Sequence, residues 1–329
     1  MSIPKAEMHI HIEGTFEPEL MMEIAARNKI SLPYKSIEEL RNKYNFKNLQ
    51  EFLDIYYLNC AVLLTELDFH DLMYAYLKKA SSQGLKYAEI FFDPQTHINR
   101  GVRFEIFLSG FKSAMKKALI DFGVEANLIM CFLRDLPVED ALRVFEMALP
   151  FKADILAIGL DSAEIGYPPE LFRNVFQLAK ANGYRLCCHA GEEGPAENIK
   201  KCIELGIERI DHGVRAVDSE EIMQICAKIQ IPFTLCPLSN LKLQVYRDLS
   251  KFPVKLFMEK NLLIMLNSDD PAYFGGYIGD NYVSTLKACD LKYEDIVLLA
   301  KRSFEATFLD VERKEMYIKL IDEFVDGLK

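Results

Sequence analysis

The sequence predicts a (β/α)8 TIM barrel with a helical insertion after the first strand. Eight short apolar or β-branched runs recur along the 329 residues, and amphipathic stretches separate them. Most of these runs are apolar without alternation, which is typical of parallel strands that are buried on both faces. Eight strand and helix units in a chain of this length indicate the barrel. The predicted strands cover residues 6–12, 87–93, 126–133, 155–161, 184–190, 208–213, 231–237 and 262–269.

The stretches between these runs carry the signals with which helices begin and end. The segment "PPELFRNVFQLAKANG" has proline at its start and glycine after its end. A doubly wound open sheet would also alternate strands with helices. However, no Gly-x-Gly-x-x-Gly follows the first predicted strand and no P-loop occurs, so this alternative lacks its usual nucleotide-binding signature. We therefore favour the barrel, as a single domain over residues 1–329.

The connection after the first strand is much longer than the others. It contains "PELMMEIAARNKI" and "LQEFLDIYYLNCAVLL", whose periodicity indicates helices rather than a structureless loop. We place the helical insertion at about residues 31–80. This connection leaves the C-terminal face of the barrel, where active sites lie. The insertion is therefore either a lid over a pocket or an additional packing layer.

The composition argues against several classes of partner. The 39 basic and 49 acidic residues give a net charge of −10, and no cluster of five Lys or Arg suggests binding to nucleic acid or to a membrane surface. No apolar run reaches the roughly 18 residues of a membrane span, and no signal-peptide pattern is present. We expect a cytoplasmic protein with a small-molecule partner, and a homo-oligomer is compatible with the sequence. The eight cysteines are expected to be buried, unpaired hydrophobes.

Side chains that can bind a metal end four of the predicted strands. His9 and His11 are two residues apart on the first strand, a spacing that puts both side chains on one face. His189 ends the fifth strand in "CCHAGEEG", His212 ends the sixth in "RIDHG", and Asp269 ends the eighth in "LNSDDPAYF". The C-terminal ends of barrel strands meet at one mouth. We therefore expect these side chains to lie together.

Three imidazoles and one carboxylate at an open site are typical ligands of a catalytic zinc ion. The same donors are compatible with iron or another divalent metal. Some barrel hydrolases bridge two metals through a modified lysine or a carboxylate at the end of the fourth strand, which here reads "AIGLDSAEIG" and has no lysine. We predict one metal ion per chain, while Asp161 and Glu164 leave a bridge to a second ion open.

Two further residues at the mouth suggest proton transfer. Glu192 follows His189 by three residues, so its carboxylate is placed to move a proton between an activated water and a substrate. An alternative role for Glu192 or Glu193 is to stabilise the N-terminus of the following helix, and Glu193 fits that role better. His212 is predicted to hydrogen-bond the attacking hydroxide and to stabilise the charge that develops beside it.

Five segments, in order from Pro4 to about residue 310, resemble the adenosine and adenine deaminase family: "PKAEMHIHIEG", "HAGEEGPAENI", "RIDHGVRA", "CPLSNLKL" and "NSDDPAYF". A His-x-His pair alone is weak, whereas the ordered set is specific. The resemblance implies a hydrolase that releases ammonia from a 6-aminopurine. It implies zinc ligands His9, His11, His189 and Asp269, the proton donor Glu192, His212 as the residue that positions the hydroxide, and Asp270 as the residue that holds the purine.

Two departures from the family pattern concern the substrate. Adenosine deaminases carry Asp-Gly after the His-x-His segment and Gly-Asp-Glu at the end of the fourth strand, whereas this chain has Glu13-Gly14 and Ser162-Ala163-Glu164. Most of the chain is more similar to the bacterial and fungal adenine deaminases. We therefore predict deamination of adenine to hypoxanthine and ammonia, in purine salvage. Glu13 is expected to occupy the space or the hydrogen bonds of a ribose, and Ser162 to contact the far edge of the purine.

Several alternatives stay open at this point. The protein could instead be an adenosine deaminase or a deaminase of another 6-substituted aminopurine. An assay of these substrates side by side with adenine distinguishes the two alternatives from an adenine deaminase. A different metal-dependent hydrolase, or a non-catalytic protein that binds purine or zinc, is also compatible with the fold. The non-catalytic interpretation leaves Glu192 and His212 without a purpose. His97, in "DPQTHINRG", is expected to have a structural or capping role.

Overall fold

Eight parallel strands form the centre of the molecule. The computed structural model describes residues 2–327, and within them each strand pairs with the next along the chain, so that the sheet order is β1 to β8. The (β/α)8 barrel predicted from the sequence is confirmed, and each predicted run overlaps one strand. The strands are β1 Lys5–Glu7, β2 Leu85–Phe92, β3 Glu125–Leu133, β4 Ala157–Asp161, β5 Arg185–Ala190, β6 Arg209–His212, β7 Phe233–Leu235 and β8 Ile264–Leu266.

Helices surround the barrel and fill its connections. The α-helices are α1 Pro18–Asn28, α2 Ile37–Asn42, α3 Leu49–Asn59, α4 Glu66–Ser81, α5 Pro94–Ile98, α6 Phe104–Phe122, α7 Val138–Ala148, α8 Arg173–Ala181, α9 Glu197–Leu205, α10 Glu220–Ile229, α11 Pro237–Lys242, α12 Val254–Glu259, α13 Pro271–Phe274, α14 Ile278–Ala288, α15 Tyr293–Glu305 and α16 Val311–Asp326. Short 3-10 turns cover Glu13–Thr15, Cys60–Val62, Leu149–Asp154, Pro169–Phe172, Val214–Asp218 and Leu249–Lys251.

The helices α2, α3 and α4 occupy the region of the predicted insertion. The side chains of Ser36, Asn48 and Thr65 cap their N-termini by accepting hydrogen bonds from backbone N–H groups. Helix α4 packs against α6 on the outside of the barrel. Helix α3 lies over the barrel mouth and supplies one wall of the cavity described below. The insertion therefore contains both a covering helix and a packing layer.

The first strand is shorter than the sequence predicts. The run at residues 6–12 suggests a continuous strand, but the regular ladder of β1 ends at Glu7. Beyond it the chain makes single bridges, from Ile10 to Asp269 and from His11 to Phe91. The backbone N–H groups of residues 8 and 9 both donate to the side chain of Asn267, at 2.9 and 3.2 Å. A side chain thus takes the place of backbone carbonyls where the barrel closes, and this interrupts the ladder.

A layer of buried charged residues lies beneath the mouth of the barrel. The guanidinium of Arg209 pairs with Glu89, and its Nε lies 3.5 Å from Oδ1 of Asp211. Glu7 accepts hydrogen bonds from Tyr76 Oη at 2.7 Å and from the backbone N–H of Ser268 at 2.9 Å. Because Ser268 immediately precedes a predicted metal ligand, this layer also fixes the floor of the site.

The cysteines follow the expectation from the sequence, since all eight are buried and unpaired. They act as small apolar side chains in the core. Among the described helices, none combines the length and the apolar character needed to cross a membrane.

Candidate active site

Four side chains at the barrel mouth direct their ligand atoms toward one point. His9, His11, His189 and Asp269 are buried there and come from the ends of β1, β5 and β8. Nε2 of His11 lies 3.1 Å from Nε2 of His189 and 3.4 Å from Oδ1 of Asp269. Nε2 of His9 lies 3.2 Å from the same carboxylate oxygen. The structure thus brings together the four residues that the sequence predicts as ligands.

These spacings fit a divalent metal ion. Ligand atoms about 2.0–2.1 Å from a tetrahedral zinc lie about 3.3 Å from one another. Nε2 of His9 is buried and has no hydrogen-bond partner among the described residues, as expected of a ligand atom. Two imidazole Nε2 atoms that face each other in a dry site require a proton or a cation between them. The donor set is therefore suited to a metal.

A second layer of residues orients the first ligand. Nδ1 of His9 lies 2.8 Å from Oγ1 of Thr234, which in turn donates to Oδ1 of Asp211 at 3.0 Å. The backbone N–H of Asp269 donates to the carbonyl of His9 at 3.0 Å. A partner on Nδ1 fixes the orientation of the ring and leaves Nε2 for a metal. The charged layer of the barrel thus extends to the site.

The ionisation states suit metal binding. Burial lowers the pKa of His11 to about 3 and lowers the pKa of His189 well below its usual value. Burial alone would raise the pKa of Asp269, but the neighbouring His9 and the other imidazoles hold it well below the usual range. Neutral imidazoles beside an ionised carboxylate are the forms that bind a divalent cation.

Glu192 and His212 lie next to these ligands. Nε2 of His212 is 3.4 Å from Oε2 of Glu192 and 3.8 Å from Oδ2 of Asp269. The side-chain amide of Asn240 donates to Oε1 of Glu192 at 3.3 Å. Burial, followed by the charge of Asp269, raises the pKa of Glu192 well above its usual value. A carboxyl in such an environment retains a proton near neutral pH, as a general acid must.

The loop that carries Glu192 is held by one carboxylate, that of Glu164. Its two oxygens accept five hydrogen bonds at 2.8 to 3.2 Å, from the backbone N–H groups of Gly191, Glu192, Glu193 and Gly194 and from the side chain of Asn198. A Cβ at position 194 would collide with this carboxylate, so glycine permits the close approach. Glu164 is therefore committed to the loop, which does not favour it as a bridge to a second metal.

Asp270 is buried at the mouth, and its Oδ1 has no hydrogen-bond partner among the described residues. The turn at Glu13–Thr15 passes directly against it. A Cβ at Gly14 would collide with the carboxyl of Asp270. The glycine after the His-x-His segment is therefore required by packing against this residue.

Backbone strain marks the same strand ends. Ser162, His212 and Asp269 have φ values of 70°, 67° and 65°, in the left-handed region that residues with a Cβ seldom adopt. Each follows or ends a strand, and each has its side chain in the cavity wall. Strain of this kind at non-glycine residues is characteristic of functional sites.

Most of these residues line one cavity at the barrel mouth. One side is formed by the metal-ligand group and its neighbours. Leu49, Phe52, Leu53, Leu243 and Phe274 form an apolar wall. The remaining lining is polar and consists of Tyr56, Tyr57, Asp93, Asp161 and Ser162. A flat ring against the apolar wall would therefore have polar groups of the remaining lining within the same cavity.

Ser162 and Glu13, two of the residues predicted to determine the substrate, lie at different depths from the cavity. Ser162 lines the cavity, and its Oγ accepts a hydrogen bond of 3.2 Å from Tyr57 Oη. Glu13 is fully buried behind the lining, where its Oε1 lies 2.7 Å from Nε2 of His97. Nδ1 of His97 accepts from Arg100 at 2.9 Å, so that Nε2 carries the hydrogen and donates to Glu13. His97 is thus held in a structural contact, and Glu13 reaches the cavity only through its neighbours.

Asp93 also lines the cavity, although it is not among the site residues predicted from the sequence. It follows β2 directly, and the same signal that singled out the histidines, a polar residue at a strand end, also marks it. Ligand atoms of Asp93, Asp161 and His11 form a second cluster, in which Oδ2 of Asp161 lies 3.5 Å from Nδ1 of His11. The second cluster therefore shares one histidine with the first.

Comparison with known proteins extends over the whole chain. The model of the family described as "Adenosine deaminase" matches residues 4–324. A protein of Acinetobacter baylyi named adenine deaminase is 51% identical over 323 residues, which cover 98% of this chain and 97% of that protein. A protein of the same name from Wolinella succinogenes is 47% identical over 320 residues, covering 97% of each chain.

Solved structures show the same likeness. The crystal structure of adenine deaminase from Arthrobacter aurescens superposes with a TM-score of 0.97 at 44% identity and covers 99% of this chain and 100% of that chain. An amidohydrolase of Burkholderia ambifaria, described with bound zinc, has a TM-score of 0.90 at 23% identity and covers 99% of this chain and 92% of its own. At this lower identity, the likeness to the Burkholderia ambifaria protein shows a shared fold only.

Proposed function

The chain belongs to the adenosine deaminase family, and we infer from this membership that it hydrolyses adenine to hypoxanthine and ammonia. The observation that carries this inference is the meeting of four metal-ligand side chains with Glu192 and His212 at the barrel mouth. The full-length likeness to adenine deaminases favours the free base over the nucleoside.

We propose that one zinc ion per chain is held by His9, His11, His189 and Asp269, and iron is the alternative that the same donors allow. When bound, such an ion lowers the pKa of a water molecule toward about 7 and so supplies hydroxide at neutral pH. The spacing of the four ligand atoms supports this assignment. Emission spectrometry of the purified protein tests it, with one equivalent of zinc as the expected result and two equivalents as the result against it.

Glu192 acts as the general acid in this proposal. Water adds its oxygen to C6 of the purine, and Glu192 gives its proton to the adjacent ring nitrogen N1. The ring thereby loses aromaticity without building up an anion. The proton that the water loses on attack is taken by the neutral ring of His212 and passes to the amino nitrogen, so that the bond between C6 and this nitrogen breaks and ammonia leaves. The hydroxyl group on C6 returns its proton to the Glu192 carboxylate, which leaves the 6-oxopurine and both side chains in their starting states. Asn240 orients Glu192 through the hydrogen bond to Oε1.

His212 is placed to steer the attack. Its Nε2 faces both Glu192 and Asp269, at 3.4 and 3.8 Å. Burial lowers the pKa of His212 well below its usual value, so the ring is neutral and can accept a hydrogen bond from an attacking water. Asp270, on the other side of the ligands, is the proposed hold on the purine. Ser162 is the proposed contact to its far edge, and Glu13 supports the wall beside it.

The first experiment is ultraviolet-monitored turnover of adenine and adenosine, side by side, on protein of known metal content. Fast conversion of adenine with adenosine untouched is the expected result. Preference for adenosine, or for an N6-substituted adenine included in the same assay, would contradict the proposed substrate. Treatment with a chelator should abolish turnover reversibly while the protein stays folded, whereas unfolding on metal removal would indicate a structural ion.

The setting of this activity follows from the same properties. We propose that the protein acts in the cytoplasm in purine salvage, on a small neutral base and without a nucleic-acid or membrane partner. The net charge of −10 supports a partner that is not a polyanion. The eight buried, unpaired cysteines are consistent with a reducing compartment.

A further inference from the structure

One polar end of the cavity consists of Asp93, Asp161, Ser162 and the hydroxyl groups of Tyr56 and Tyr57, and it lies next to His11. Of these residues, only Ser162 has a role in the reaction described above. All other polar lining residues belong to the metal-ligand group or its immediate neighbours. We place the reacting edge of the purine at Glu192 and its opposite edge at this polar end, which offers the remaining polar groups of the lining.

The covalent structure of adenine decides which atoms lie there. The reacting carbon C6 is flanked by N1 and, across C5, by N7. With Glu192 at N1 and Asp270 on the other flank, the edge that carries N3 and N9 faces away from the metal ligands. In the free base this edge offers one acceptor, N3, and one donor, the N9 hydrogen. In a nucleoside the donor is replaced by a sugar carbon.

Both carboxylates at this end have oxygens without a hydrogen-bond partner among the described residues. Oδ2 of Asp161 faces the metal-ligand group, 3.5 Å from Nδ1 of His11, which leaves Asp93 as the acceptor for a substrate. Oδ1 of Asp93 is buried and has no hydrogen-bond partner among the described residues. Its Oδ2 receives only a long hydrogen bond, 3.5 Å, from Tyr56 Oη. Ser162, by contrast, accepts from Tyr57 and has a hydroxyl hydrogen to offer to an acceptor such as N3. The two residues thus complement the two polar atoms of the far edge.

The backbone of Asp93 is fixed by residues behind the wall. Its N–H donates to Oε1 of Glu13 at 3.3 Å, and the same oxygen receives the hydrogen bond from His97. Glu13 and His97 are both fully buried. They are positioning residues for Asp93, and through this contact Glu13 would act on substrate choice without lining the cavity.

We propose that Asp93 accepts the N9 hydrogen of the free purine base and thereby selects the base over its N9-substituted derivatives. This inference rests on the proposed function, since it takes adenine as the substrate. A carboxyl oxygen accepts this hydrogen bond whether the group is ionised or neutral. The derivative that lacks the hydrogen would leave a buried acceptor unsatisfied and would place a carbon against it.

The test compares adenine with 9-methyladenine in the wild-type protein, Asp93→Ala and Asp93→Asn. In Asp93→Ala we expect kcat/KM for adenine to fall roughly 10- to 100-fold, the range of a hydrogen bond to a charged group. The loss should appear mainly in KM, because N9 is remote from the reacting carbon. Turnover of 9-methyladenine should stay unchanged or rise. Asp93→Asn, which keeps a carbonyl oxygen and the volume, should recover part of the adenine activity.

Asp135→Ala is the matched control. Asp135 is a carboxylate whose charge acts on Asp93, but it does not line the cavity, so its loss should change both substrates alike. Equal loss for both substrates in Asp93→Ala would overturn the inference, as would loss of a bound metal equivalent in Asp93→Ala and Asp93→Asn, since Asp93 would then be a metal ligand. If wild-type protein does not deaminate adenine at all, the proposed function fails instead.

Discussion

The hydrogen bonds of Glu164 allow the effect of one substitution on the free energy of unfolding to be calculated from the structure. We consider Glu164→Gln, which keeps the shape of the side chain and removes one acceptor. Oε2 accepts three backbone N–H groups of the loop at 2.9 to 3.2 Å, whereas Oε1 accepts the N–H of Gly191 and the amide of Asn198. The glutamine oxygen should therefore take the Oε2 position, and its NH2 group should face the two other donors.

Two buried donors then lose their acceptor. Each costs about 1–3 kcal/mol, so the substitution should lower the free energy of unfolding by about 2–6 kcal/mol. Rotation of the Asn198 amide would return one acceptor and bring the value toward the lower limit. The loop carries Glu192, so turnover should also fall by at least about tenfold, because a small misplacement of a catalytic group is costly.

Urea unfolding and steady-state turnover of adenine measure these two effects. Glu197→Gln is the matched control, since Glu197 lies in the same segment but is exposed, and it should change the free energy of unfolding by less than about 1 kcal/mol. If Glu164→Gln unfolds at the same urea concentration as the control and retains full turnover, the role assigned to Glu164 is wrong.

Three further predictions follow from the site and the barrel. Glu192→Gln should lower turnover by about 10²–10⁴ while metal content stays the same, and near-normal turnover would remove Glu192 as the general acid. Gly14→Ala should displace the carboxyl of Asp270 and raise KM for adenine at least about tenfold with the metal retained; an unchanged KM would show that the turn yields instead. Burial lowers the pKa of Lys5 from 10.5 to about 7, so the unfolded chain binds the extra proton between these values. The stability of the wild type should therefore rise relative to Lys5→Met by about 1.4 kcal/mol per pH unit above pH 7, and parallel unfolding curves from pH 7 to 9 would contradict the burial argument.

The sequence was sufficient for the barrel because its signals are local. Most of the eight strands lie in largely apolar runs, and the chemistry-bearing residues stand at the C-terminal ends of those runs, as His189 and His212 do. The first strand is the exception. Its length depends on Asn267, which is about 260 residues away and takes the place of backbone acceptors at the seam. No local pattern reports such a contact.

The residue contacts behind the cavity wall were not predictable either, because they also join residues that are far apart in the sequence. The pairing of Glu13 with His97 joins residues that are 84 positions apart and of ordinary composition. Glu164 was open to interpretation as a metal bridge because a carboxylate after a strand suits either role. Only the positions of five converging N–H and amide donors distinguish the two. Asp93 ends a run just as His212 does, but whether its side chain faces the cavity depends on the register of the barrel.

The strained residues explain why the site lies where the ladders end. Ser162, His212 and Asp269 all have φ between 65° and 70°, at a cost on the order of 1–3 kcal/mol each. In a strand that continued regularly, successive side chains would alternate between the two faces of the sheet, whereas a left-handed residue breaks this alternation at the mouth. Glycine would remove the strain, but it would also remove the hydroxyl, the imidazole or the carboxylate. The fold sustains three such turns because the closed sheet beneath them and the charged layer around Arg209 hold the strand ends in place.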